Sequence, residues 1–403
     1  MGKLGPLGGE LSSSVVSFEE ATALAEEHGT PLLVCDIDRV RDNYKKLKEL
    51  FHGFDLCYAV KANPHPEIVK ALVELDSHFD VASKNEIELC LELGAKPEHL
   101  LYANPVKPWE YIEFAYRNNV RTFTFDTEQE LEKMARHAPG SEVILRLSVR
   151  DIGSVCKFSM KFGAKEEKAL NLLQKAKDLG LQPVGLSFHV GSQCTRMENF
   201  GYALNMCSRV FKLAEKNSIS LSVLDIGGGI PVNYVNDVYS WEDLASLINQ
   251  KIPELFPKGV RLIAEPGRPM VADAMTLITR VIGVGRHNGG NECIYLDDGC
   301  YNSLSEKIFG HCEYKLLSNK REPMRSYTVF GPTCDSMDVI TKDALLPELK
   351  ENDLILIPNA GAYTNAAATH FNGFDPAKIL FLHQIQKTNP ESPEMRPISA
   401  GAF

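Results

Sequence analysis

Between about residue 54 and residue 270, hydrophobic positions along the chain alternate between two periodicities. Short runs rich in β-branched and aromatic residues are separated by longer stretches in which apolar residues recur three and four apart. The first pattern is that of buried strands and the second that of amphipathic helices. The strand-like runs are DLCYAV (55–60), FDVA (79–82), LLYA (100–103), TFTF (122–125), EVILRLS (142–148), VGLSFHV (184–190), LSVLDI (221–226) and RLIAE (261–265). PEIVKALVELD, KNEIELCLELG and TEQELEKMARHA are examples of the helical stretches between them. Eight such βα units within roughly 250 residues predict a (β/α)8 TIM-type barrel, an α/β fold.

Beyond about residue 270 the pattern changes. AMTLITRVIGVG, CIYLDD, YTVFG, DLILIPN and KILFLHQI follow one another without long helical stretches, which predicts a mainly antiparallel β domain. LLVCDI (32–37) fits either the start of the barrel or the β domain. The expected division is a barrel over residues 36–272 and a β domain built from 1–35 and 273–403. KTNPESPEMRP near the C-terminus is expected to be a solvated tail.

With 44% hydrophobic and 24% charged residues, the 403-residue chain has the composition of a folded globular protein. Its formal charge of −10 offers no footprint for a phosphate backbone, so nucleic acid is not an expected partner, whereas a cationic small molecule is not repelled. MGKLGPLGGELSSS lacks a signal-like apolar core, and no run is long enough to span a bilayer; the expected location is cytoplasmic, with no membrane partner. The ten cysteines are scattered singly with no zinc-like CxxC spacing, so no metal is expected and most cysteines read as reduced apolar filler.

In a barrel of this kind the chemistry gathers at the C-terminal ends of the strands. The residues there are Lys61 in YAVKAN, Asp80, Arg146, His189, Gly227, Gly228 and Gly229 in DIGGGI, and Glu265 with Arg268 in AEPGR. Singly each has an ordinary structural explanation, but together on one rim they suit pyridoxal 5'-phosphate. A lysine at a strand end, partly desolvated, can hold the aldehyde as a Schiff base. Consecutive glycines let backbone N–H groups approach a phosphate, and Arg268 adds charge. A carboxylate such as Glu265 keeps the pyridine nitrogen protonated, as an electron sink requires, and His189 is placed to lie against the ring.

YAVKAN, FDVASKNEIE, SFHVGS, LDIGGG, AEPGR, GPTCDSMD and GAYT…FNGF, in that order, resemble the motifs of the fold-type III pyridoxal-phosphate decarboxylases, alanine racemase-like in fold, and above all their ornithine, lysine and arginine decarboxylase group. The likeness covers nearly the whole chain. It implies a homodimer with shared active sites, Lys61 as the Schiff-base lysine, and Glu265 on the pyridine nitrogen. It also implies His189 on the ring, Ser192, Gly228, Gly229, Arg268 and Tyr363 at the phosphate, and Asp80 and Arg146 nearby with Glu86 in support. Cys334 would act as the acid toward the α-carbon, and Asp335 would meet the substrate's distal ammonium, both reaching across the dimer. Lys161 resembles a position that crosses the same interface. Tyr301, Phe371 and Glu306 complete the substrate-binding set.

The resemblance departs from ornithine decarboxylases in DDGCYNSLSEKIFGHCEY, where Gly310 stands in place of an expected aspartate. Glu306, one helical turn earlier, is the candidate replacement, its bland alternative being a solvated helix charge. A carboxylate displaced by one turn changes which length of side chain it can pair with. The expected activity is therefore decarboxylation of ornithine or lysine to putrescine or cadaverine in polyamine biosynthesis, with arginine as the next substrate. The rivals are diaminopimelate decarboxylase, whose second substrate carboxylate calls for an arginine in the pocket, and a non-catalytic regulatory homologue, which would lack cofactor contacts.

Overall fold

The computed structural model describes residues 14–286, 292–309, 312–321 and 323–388. The chain divides into two compact units, one of residues 41–270 and the other of residues 1–40 with 271–403.

In the first unit the eight apolar runs become strands Phe54–Ala59, His78–Val81, Leu100–Tyr102, Thr122–Phe125, Glu142–Leu147, Gln182–Phe188, Val223–Asp225 and Arg261–Ala264. Each pairs in parallel with the next, and Arg261–Ala264 pairs with Phe54–Ala59 to close the barrel. The expected helical stretches form Pro66–Val73, Lys84–Glu92 and Glu128–His137, the last two started by Ser83 and Thr127, whose hydroxyls accept an N–H of the first turn. Cys57, Leu101, Ile144, Val223 and Ile263, from strands around the barrel, form one buried cluster. Side chains on opposite strands can meet in this way only through the barrel's interior. The period of two along a strand then puts Arg146, Asp225 and Glu265 on the same inner face, one layer nearer the C-terminal mouth. A short antiparallel pair, Ser154–Cys156 with Ser192–Cys194, joins the loops that follow the fifth and sixth strands.

The second unit is a mostly antiparallel sheet. Its order is Val339–Pro347, Met324–Phe330, Glu292–Leu296, Met275–Arg286, Leu32–Cys35 and Lys378–Phe381, with Leu354–Ile357 also on Met275–Arg286. Two pairs are parallel, Leu32–Cys35 with Lys378–Phe381 and Glu292–Leu296 with Met324–Phe330. LLVC thus lies in this sheet. Helix Phe18–His28, opened by a Ser17/Glu20 capping box, packs Leu24 and Ala25 with Leu32, Val34, Ile278 and Leu356.

Two details differ from the sequence reading of this unit. Strand Val339–Pro347 was not anticipated, because Lys342 and Asp343 interrupt its apolar pattern on an exposed face. In KILFLHQI only Lys378–Phe381 is strand, and Leu382–Thr388 turns into a helix. Among the described residues no helix is long and apolar enough to cross a membrane. Gly310 and the KTNPESPEMRP stretch after Thr388 lie outside the described residues.

Candidate active site

The first strand ends at Ala59, and Val60, Lys61 and Ala62 make a single tight turn. Buried Asn63 fixes the exit: its N–H donates to the Val60 carbonyl at 3.1 Å, and its carbonyl accepts the Tyr58 hydroxyl at 2.9 Å. Its Oδ1 accepts the His65 N–H at 3.2 Å, and His65 Nδ1 in turn caps the helix that begins at Pro66. Six residues, 60–65, thus separate the end of the strand from the start of the helix, and Lys61 stands among them with 41% of its side chain exposed. The Lys61 ammonium ion-pairs with Asp80, which is 1% exposed. The second Asp80 oxygen is buried and accepts no hydrogen bond among the described residues. Glu86 accepts the Ala82 N–H at 2.7 Å, and burial raises its carboxyl above the usual range.

Around the same mouth, burial pulls the Arg146 guanidinium below its ordinary pKa, against the attraction of Glu265, Asp126, Asp80 and Asp225. His189 Nδ1 accepts the Gly191 N–H at 3.0 Å, which assigns the ring proton to Nε2. Burial, then the charges of Arg146 and Lys61, hold this imidazole well below its ordinary pKa, so it is neutral. Phe158 meets it edge-on at 4.9 Å.

The glycine triplet is packed against the neighbouring strand ends: a Cβ on Gly228 would sit 2.6 Å from the Glu265 carbonyl and 3.2 Å from His189 Nε2. Gly227 and Gly229 have φ of +65° and +95°. Arg268, buried, donates to Ser192 Oγ at 3.0 Å and to the Tyr234 hydroxyl at 2.7 Å. Glu265 lies well above the usual carboxylate range, with burial the main cause, Asp225 and Asp80 adding to it and Lys61 opposing.

Lys61, Asp80, Glu86, Arg146, His189, Ser192, Gly228, Gly229, Glu265 and Arg268 all belong to the barrel unit. So does Lys161, exposed on the loop after the fifth strand with its ammonium over the Phe162 ring. The sequence reading gave no role to Asp225 or Tyr234. Asp225 was legible from its position two residues after Val223 on the inner face of a strand, whereas nothing local marks Tyr234, which meets Arg268 34 residues away.

The remaining candidates belong to the other unit. The Tyr301 hydroxyl donates to Asp335, its ring stacks on Phe371 at 4.4 Å, and Asn372 Oδ1 accepts the Cys334 N–H at 3.0 Å. The Tyr301 hydroxyl, then the Met337 N–H, hold Asp335 below the usual carboxylate range. Cys334 is exposed, and Glu306 is buried, with the Cys312 thiol 3.4 Å from Oε2. Tyr363 has a φ of +59°, and its carbonyl accepts the Ser305 hydroxyl at 3.2 Å. Buried Asp338 ties the loop together, accepting the Cys300 N–H at 2.8 Å and the Thr333 hydroxyl at 2.7 Å.

Residues 37–272 match the family model of the pyridoxal-dependent decarboxylases, pyridoxal binding domain. The chain belongs to this family. Within it, the chain is 40% identical over 362 residues to the lysine/ornithine decarboxylase of Selenomonas ruminantium, covering 89% of this chain and 91% of the relative. It is 36% identical to antizyme inhibitor 2 of Xenopus laevis, covering 85% and 82%. The solved lysine/ornithine decarboxylase of Vibrio vulnificus complexed with cadaverine superposes with a TM-score of 0.85 at 37% identity, covering 91% of this chain and 100% of that one. A second structure of the Vibrio enzyme holds putrescine.

The family's decarboxylases use pyridoxal phosphate, and the barrel residues fit that group. Arg268 with Ser192 and Tyr234 forms a donor cluster suited to a phosphate. Lys61 offers an amine, Asp80 has an oxygen still open to a donor, and Glu265 offers a carboxyl to a ring nitrogen. The protein is a pyridoxal-phosphate-dependent decarboxylase.

Proposed function

We propose that the enzyme decarboxylates L-ornithine and L-lysine to putrescine and cadaverine, in polyamine biosynthesis. One observation carries this choice of substrate: Asp335 is held ionised by the Tyr301 hydroxyl and the Met337 N–H, in an aromatic setting made by Tyr301 and Phe371. A carboxylate so fixed suits a side-chain ammonium. Glu306, buried and four residues before the position where the ornithine-type pattern carries an aspartate, is the second carboxylate and sets the preferred chain length. The relatives named for lysine and ornithine, and the Vibrio enzyme's complexes with both diamines, support the same pair.

Pyridoxal phosphate, when bound, supplies the electron-withdrawing ring that takes up the electron pair left as carbon dioxide departs. Lys61 would hold its aldehyde carbon, Arg268, Ser192, Gly228, Gly229 and Tyr363 its phosphate, and Glu265 its ring nitrogen. Neutral His189 can lie against a ring without adding positive charge to it. Asp80 and Arg146 orient groups at the mouth, and Glu86 buttresses them. Cys334, exposed on its loop, delivers a proton to the substrate's α-carbon, which makes the amine the product. We assign the shared sites to a homodimer in which the Cys334 loop of one copy serves the barrel of the other, and the location to the cytoplasm, where ten free cysteines stay reduced.

Carbon dioxide release from L-ornithine, L-lysine, L-arginine and meso-diaminopimelate tests this. Turnover of ornithine and lysine above the other two is expected, with their ratio altered in Glu306→Gln. A clear preference for arginine or diaminopimelate would refute the substrate assignment.

A further inference from the structure

Two carboxyl groups meet inside the barrel mouth. Asp225 closes the seventh strand and pairs in register with Ile263 on the eighth, so Glu265, two residues on, is its diagonal neighbour on the inner face. The backbone fixes this approach. Ile226 N–H donates to the Ile263 carbonyl and Glu265 N–H to the Gly227 carbonyl, both at 2.9 Å, and the missing side chain of Gly228 lets the Glu265 carbonyl pack close.

Asp225 is fully buried. Its Oδ1 accepts the Gly227 N–H at 2.8 Å, while its Oδ2 receives no N–H or O–H from any other described group. The side chain that meets it is the Glu265 carboxyl. Two ionised carboxylates are acceptors only and repel each other as buried neighbours, so a proton held between them relieves both.

We propose that Asp225 and Glu265 share one proton, and that Asp225 is a positioning residue that keeps this proton and donates a hydrogen bond through it to Glu265 when Glu265 is ionised toward the cofactor. The assignment rests on the placing of Glu265 at the ring nitrogen in the proposed function. The charges around the pair favour a retained proton. Asp80 adds to the carboxyls at the mouth, Arg146 and Lys61 oppose them, and the Cys57 thiol beneath is pushed up by burial and by Asp225 and Glu265. Burial raises both members, Asp225 to about 7. A protonated Asp225 behind an ionised Glu265 keeps that carboxylate aimed and charged without a second negative charge beside it.

Asparagine mimics the protonated acid at this position: its carbonyl can accept from Gly227 and its amide can donate to Glu265. Leucine, of similar size, can do neither. The test compares wild type, Asp225→Asn and Asp225→Leu, each checked for folding by circular dichroism. The readouts are the pyridoxal phosphate dissociation constant, kcat and KM, and the melting temperature of the cofactor-free protein from pH 4 to pH 8.

The expected result is that Asn keeps cofactor affinity and kcat within about threefold, while Leu loses about tenfold or more in both with little change in KM. In the cofactor-free protein a raised native pKa favours folding at low pH and loses that advantage as pH rises toward 7. The wild type should therefore lose stability relative to Asn between about pH 4 and pH 7. Leu equal to wild type in affinity and kcat would overturn the proposal. So would folded Asn that is as impaired as Leu, or parallel melting profiles for wild type and Asn. Because the melting profiles need no substrate, a failure of the substrate assignment leaves them standing and is told apart from a failure of the shared proton.

Discussion

Lys61 ion-pairs with Asp80, whose second oxygen is buried and accepts nothing among the described residues. The pair spans the ends of the first two barrel strands, where Ala59 and Asp80 are in register. A carboxylate with one oxygen on the amine and the other open can keep hold of a ligand after the amine has left it. Asp80→Asn keeps the shape and removes the charge. We expect kcat/KM to fall about ten- to a hundredfold, a loss of roughly 1.4–2.8 kcal/mol in transition-state stabilisation, measured by steady-state carbon dioxide release. A change below twofold would separate Asp80 from the chemistry.

Tyr301→Phe removes the donor that holds Asp335 below the ordinary carboxylate range but leaves the ring on Phe371. The expected effect is a KM for ornithine and lysine raised about three- to tenfold with kcat less affected, because the lost hydrogen bond aims a binding group and not a reacting one. Saturation curves for both substrates measure it.

Gly228→Ala places a methyl group 2.6 Å from the Glu265 carbonyl, where backbone must yield. A destabilisation of about 1–3 kcal/mol is expected, seen as a melting temperature several degrees lower, with weaker cofactor binding because Glu265 and His189 both move. Calorimetry and cofactor titration give the two readouts.

At the opposite end of the second strand His78 stacks on His99 with ring centroids 4.0 Å apart. His78 is pushed down to about 4, chiefly by burial, with Asp55 opposing and His99, Arg261 and Lys48 contributing. Its native pKa lies below the unfolded value, so the unfolded chain takes up more protons as pH falls. Stability from this site is present above about pH 6.5 and is lost progressively toward pH 4. In His78→Gln the decline of melting temperature over that interval should be shallower by about 2–4 °C.

The barrel was legible because each of its eight strands is a short apolar run, and the candidate residues followed because strand ends in such a barrel share one rim. Lys61, His189 and Glu265 could be nominated from strand-end position together with the chemistry a pyridoxal group needs. What stayed hidden depends on contacts between distant segments. Tyr234 meets Arg268 only once the seventh and eighth strands are adjacent, and although Asp225 was legible as an inward position, the register that sets it beside Glu265 was not. Strand Val339–Pro347 carries charges on an exposed face, so its alternation is weak in sequence and its identity comes from pairing with Met324–Phe330. Helix Phe18–His28 is different, since the Ser17/Glu20 capping box was there to be read.

The amine that holds the cofactor can be located chemically. Purified holoenzyme is reduced with borohydride and digested, and the peptides are mapped by mass. A pyridoxyl group on the peptide containing Lys61 is the predicted result; the label on any other lysine, or an unlabelled protein, would contradict it.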